Sequence, residues 1–127
     1  MDWIRQAISE FGRSVGLPGL ELSAGGRLKL TLGSGGQVGM VHLGDLDTPV
    51  LVFYRSCALA YQAGAQLRRA LRLTDFRHGA PWPLQAAINS GELFLALRLP
   101  ERRVTAAALD EAMGTLARLH LELQQTR

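Results

Sequence analysis

Four groups of residues in this sequence are of types that can do chemistry. The first is Cys57, the single cysteine among 127 residues. Residues 56–73 read as a helix, and a helix N-terminus can lower a thiol's pKa. A nucleophile also needs a base within reach. His42, His78 and His120 stand in contexts that match no nucleophile signature. A free cysteine is otherwise a small packing residue, often buried. The second group is His42 with Asp45 and Asp47 in one turn. The chain has no C-x-x-C, H-x-x-x-H or H-E-x-x-H pattern, so a solvated acid pair beside a histidine is the plainer reading.

The third group is the glycine run Gly33-Ser34-Gly35-Gly36 with Gly39. Glycine loops cradle phosphate where they lead into a helix. This run joins two strands and no Gly-Lys-Ser/Thr follows, so these are hairpin glycines. The fourth is a basic cluster, Arg68, Arg69, Arg72, Arg77 and His78, with Phe76 and Trp82 nearby. Cations interleaved with aromatics can hold single-stranded nucleic acid. A solvated helix flank in an arginine-rich protein shows the same residues: 13 of the 14 basic residues are Arg, and Lys29 is the exception. No catalytic, cofactor-binding or metal-binding residues are expected.

The elements that must position these groups follow from periodicity. Ile4, Ile8, Phe11 and Val15 make a helical stripe over residues 2–15, with Asp2 at the dipole-favoured start and Gly16-Leu17-Pro18 as the stop. Residues 28–32 alternate as a strand with three leucines on one face. Residues 37–43 and 50–54 continue a three-strand antiparallel meander, and a further short strand is possible at 20–22. The helix over 56–73 carries Leu59, Ala63, Leu67, Ala70 and Leu71. A loop over 74–83 follows, with two prolines bracketing Trp82. Residues 84–88 and 92–99 form a second hairpin around Asn89-Ser90-Gly91, and Pro100 ends the sheet. Thr105 is an N-cap for a last helix reaching about residue 125, with the stripe Leu109, Ala112, Met113, Leu116, Leu119, His120 and Leu123. The expectation is an α+β fold: an antiparallel sheet of about five strands with three helices, in the order α-β-β-β-α-β-β-α, as one domain over residues 1–127.

Composition narrows the function class. Hydrophobic residues make up 47% and charged residues 20%, a globular balance. The longest unbroken apolar run, Pro49-Val50-Leu51-Val52-Phe53-Tyr54, is far short of the roughly 20 residues of a membrane helix. The first residues, Met1-Asp2-Trp3-Ile4-Arg5, are not expected to act as a secretory signal. A lone thiol fits a reducing, cytoplasmic compartment. The net charge is +3, milder than a nucleic-acid binder of this size usually carries. Several strands are apolar on both faces: Val50, Val52 and Tyr54 oppose Leu51 and Phe53, and Phe94 and Ala96 oppose the leucines of their strand. Either helices cover both faces, or apolar surface is left for association.

The element order, together with particular residues, resembles the class I type III secretion chaperones, the Tir-chaperone-like family. The resemblance is carried by Phe11-Gly12-Arg13-Ser14-Val15-Gly16-Leu17-Pro18, Leu28-Lys29-Leu30-Thr31-Leu32, Leu67 and Leu71, Asn89-Ser90-Gly91-Glu92-Leu93-Phe94-Leu95-Ala96-Leu97-Arg98-Leu99, and Thr105-Ala106-Ala107-Ala108-Leu109. It implies a cytoplasmic, non-enzymatic protein without cofactor, a homodimer or a heterodimer with a second chaperone. Such a protein binds the N-terminal region of a type III secreted protein in extended form and keeps it soluble and export-competent. Family architecture points to Trp3, Ile4, Ala7 and Phe11, with Val38, Met40 and Phe94, for the cargo grooves. For the dimer seam it points to Tyr61, Leu67, Leu71, Leu93 and Leu95. A basic chain of this kind would pair with an acidic second chaperone or serve an acidic cargo. The alternative is a small basic nucleic-acid-binding α+β module.

Overall fold

The computed structural model describes residues 2–31, 36–58, 82–89 and 91–124. The N-terminal stripe forms helix α1 (Asp2–Ser14), with Ile4, Ala7, Ile8 and Phe11 buried. Its end is a Schellman motif: the Leu17 amide donates to the Gly12 carbonyl, the Gly16 amide donates to the Arg13 carbonyl, and Gly16 takes φ 81°. Val15, expected on the buried stripe, falls in this turn and is exposed.

Five strands follow: β1 (Arg27–Thr31), β2 (Gln37–Leu43), β3 (Val50–Ala58), β4 (Leu84–Asn89) and β5 (Glu92–Pro100). They form one antiparallel sheet in the order β1-β2-β3-β5-β4. The first three run as the expected meander. The β4–β5 hairpin turns at Gly91, φ 78°, and β5 lies between β3 and β4. A 3-10 turn (Glu101–Arg103) leads to helix α2 (Ala106–Gln124). Its N-cap is Thr105, whose hydroxyl accepts the Ala108 amide at 3.0 Å.

Register decides which residues share a face. Leu28, Val38, Met40, Leu51, Phe53, Cys57, Leu84, Leu93, Leu95, Leu97 and Leu99 lie on one side. Both helices pack there. Phe11 meets Phe53 edge-on at 5.9 Å between ring centroids, and Leu109, Ala112, Leu116 and Leu119 of α2 are buried in the same core. Among the described residues, no helix lies on the opposite side of the sheet.

The expected elements need three corrections. Strand β3 runs to Ala58, four residues past the expected end, because the nine residues of β5 offer partners as far as Cys57↔Leu93 and Ala58↔Glu92. The helix expected over 56–73 therefore does not begin at residue 56, and from residue 59 it lies outside the described residues. Two α-helices, not three, are found among the described residues. Residues 20–22 form no strand; Leu20 is buried against α1, where Gly12 leaves room for it.

Candidate binding surfaces

Helix α1 buries one stripe, and the residue beside that stripe stays out. Trp3 is 46% exposed, a large apolar side chain in water at the start of a helix. It lines two adjacent hollows. One, of about 430 Å³, is completed by Asp47, Thr48, Pro49, Pro100, Glu101 and Arg102. The other, of about 210 Å³, runs between α1 and the start of α2, past Gln6, Ala7, Glu10 and Thr105. A third, of about 240 Å³, lies between Ile4 and Arg5 of α1 and the 22–26 turn. An exposed aromatic flanked by open grooves suits a docked apolar side chain.

The other expected groove residues are placed differently. Ile4, Ala7, Phe11, Val38 and Met40 all belong to the chain's own core. Phe94 is half-buried on the far side of the sheet from the helices. Of the expected seam residues, Leu93 and Leu95 are fully buried beneath the helices. Tyr61, Leu67 and Leu71 lie outside the described residues, as does the basic cluster from Arg68 to His78.

Among the described residues, Cys57, His42 and His120 are each engaged within the fold. Cys57 lies within β3 on the core face, not ahead of a helix. Burial pushes its thiol above the ordinary value; Arg55 opposes that rise and Glu92 adds to it. His42 pairs with Glu101 at 2.9 Å, not with Asp45 or Asp47. This contact fastens β2 to the turn after β5. No cluster of three or more metal-ligating side chains exists among the described residues. Arg55 meets His120 at 2.6 Å under α2. Burial and the Arg55 charge hold the imidazole down to about 4, and a Leu93 backbone group opposes them weakly. A ring kept neutral in this way accepts the guanidinium's hydrogen bond.

One arrangement went unread in the sequence. The Tyr54 ring lies across β2 directly over Gly39, where any side chain would overlap it. Tyr54 also meets Phe94 with ring centroids 5.8 Å apart. The signal was available: a glycine in mid-strand marks close approach by another group. Only the pairing Gly39↔Tyr54 says which group it is.

Comparison with known proteins bears on the whole chain. The family model described as type III secretory system chaperone SycN matches residues 3–124. No curated protein matches. Among solved structures, a chain of the ExsC–ExsE complex is 16% identical, with TM-score 0.73, covering 97% of this chain and 92% of that one. The Yersinia pestis type III secretion chaperone SycH, solved with a stable fragment of YscM2, is 17% identical, with TM-score 0.69, covering 94% of this chain and 98% of that one. A chain of the HopA1–SchA chaperone–effector complex is 16% identical, with TM-score 0.68, covering 98% of this chain and 93% of that one. At such identities the structural likeness shows a shared fold.

Proposed function

The chain belongs to the type III secretory system chaperone SycN family, and from that premise we propose that it binds the N-terminal region of a type III secreted protein in the cytoplasm. The observation that carries the proposal is the family match across residues 3–124. In this reading the cargo segment is held extended, soluble and competent for export, and the chain catalyses nothing. Two solved relatives, SycH with its YscM2 fragment and the HopA1–SchA pair, are themselves chaperone complexes, which supports a protein partner.

The physical means are strand addition and groove filling. Strand β1 is a sheet edge among the described residues, and an edge presents unpaired amides and carbonyls to an incoming chain. Trp3 and its hollows would take apolar cargo side chains. The buried Ile4, Ala7, Phe11, Val38 and Met40 would stiffen the walls behind them, and Phe94 would meet cargo on the other side of the sheet. The chain would act as a homodimer or beside a second chaperone, with the seam drawing on the segment that holds Tyr61, Leu67 and Leu71. The nucleic-acid alternative rests on the Arg68–His78 cluster, which lies outside the described residues, and the family match favours a protein partner.

Light scattering and affinity capture from the native host test the proposal. The expected result is a dimer carrying one secreted protein, with capture lost when that protein's N-terminal region is deleted. A monomer that retains no secreted protein would overturn it.

A further inference from the structure

The side of the sheet away from the helices has a pattern of its own. Strand pairing sets its side chains in cross-strand rows. One row reads Arg27, Val41, Val52, Arg98, from β1 through β2 and β3 to β5. The next reads Lys29, Gly39, Tyr54, Ala96. The centre is apolar; Arg27 and Lys29 line the β1 border, and Arg98 closes the first row at β5. Arg27 and Lys29 are exposed, and Val41, Val52, Tyr54, Ala96, Phe94 and Arg98 are half-buried.

Three observations make this more than an apolar face that no described helix covers. First, its cations, Arg27, Lys29 and Arg98, outnumber its single acid, Glu92. Glu92 is the one acid on any described strand, and its carboxylate already accepts the Ser56 hydroxyl at 3.0 Å. Arg27, Lys29 and Arg98 form no ion pair among the described residues. Second, its centre is shaped. Gly39 lets the Tyr54 ring lie flat across β2, and a hollow of about 340 Å³ opens there between Arg27, Lys29, Val41 and Tyr54. Third, its spacing matches one geometry. Arg27 and Arg98 are three strands apart, about 14 Å at the usual spacing. An extended chain covers that distance in about four residues, with residue i+2 on the same side as i and i+4.

We propose that this face binds an extended acidic segment of the secreted cargo, with acids at i and i+4 and an apolar residue at i+2. The acids meet Arg27 and Arg98, the latter at the more desolvated end of the row, and the apolar residue lies over Val41 and Val52. Lys29 takes a further acid along β1. The inference rests on the chaperone reading and adds the chemical class of the segment and where it lies. A partner with an apolar centre between its charges suits this face better than a uniformly charged polyphosphate.

The test uses the full-length chain and synthetic 15-residue peptides. One peptide carries Asp-Ser-Leu-Ser-Asp at its centre, a second has both Asp replaced by Asn, and a third places the acids two apart. The first should bind at least tenfold more tightly than the others, and added salt should weaken it. Arg27→Gln with Arg98→Gln should lose that preference while the melting temperature and the oligomeric state stay put. Equal binding of the three peptides overturns the inference. So does a change in the chain's own dimerisation as the main effect of the double variant, or tighter binding of a 15-nucleotide single strand than of the acidic peptide. Capture from the native host separates the two claims. A secreted protein retained equally by wild type and double variant leaves the chaperone reading standing and overturns this one; a secreted protein retained by neither overturns both.

Discussion

Arg55 on β3 donates to His120 on α2 across 2.6 Å, tying the sheet to the last helix by a cation that has a neutral imidazole for its partner. Burial and the Arg55 charge hold that imidazole to about 4. The unfolded chain binds a proton on this ring near 6.5, while the folded chain binds it only near 4. Protonation therefore favours unfolding. The contribution is fully present above pH 6.5 and is lost as pH falls toward 4, by about 3 kcal/mol at the limit. His120→Gln keeps an acceptor for Arg55 and cannot titrate. Denaturant melts from pH 7.5 to 4 should show a shallower decline for the variant; parallel curves would count against this account.

Glycine substitutions in the two helices should act with opposite signs. Gly114 faces open space in α2, so Gly114→Ala should stabilise by about 0.5–1 kcal/mol. A Cβ at Gly12 would meet the Leu17 carbonyl oxygen at 2.6 Å and Leu20 Cβ at 2.7 Å. Both atoms are held by the Schellman turn and the core. Gly12→Ala should destabilise by roughly 1–3 kcal/mol despite alanine's better helix propensity. Urea midpoints of the two variants give the comparison.

Cys57 should behave as a packing residue. Its thiol is buried and its pKa is raised, so the thiolate is scarce and shielded. A thiol reagent at pH 8 should react on the order of 100-fold more slowly with the folded chain than with the chain in denaturant. Cys57→Ser should leave cargo binding intact. Reaction at the unfolded rate would show the site to be open.

Trp3 separates binding from stability. Trp3 is 46% exposed and stands outside the core cluster, so Trp3→Ala should change folding stability by less than about 0.5 kcal/mol. If cargo fills the hollows beside it, the same change should weaken cargo binding by roughly tenfold or more, as for an exposed aromatic anchor. Calorimetry with the captured cargo segment, run beside a thermal melt, reads both quantities.

Much of the framework was legible because its signals are local. The 4-3 spacing of Ile4, Ile8 and Phe11 sets a buried helix stripe wherever the helix docks. Gly16 marks the stop of α1, Thr105 caps α2, and the alternation from Leu93 to Leu99 puts four leucines on one face. Each follows from backbone geometry within a few residues. The family resemblance is a profile of such apolar positions, which is why it too was readable from the sequence.

Tertiary structure decided what depends on pairing between distant segments. Arg55 and His120 are 65 residues apart, and neither announces the other. Cys57 is a strand residue because β5 is long enough to pair with it. Ile4, Phe11, Val38 and Met40 became core because both described helices cover the same face of the sheet, leaving Trp3 at its margin. On the opposite face, Arg27 and Arg98 stand in one row because β5 pairs with β3 and not only with its hairpin partner. Periodicity says which residues share a side of one strand. Only strand order and register say which residues of different strands meet, and the surface offered to a partner is set at that level.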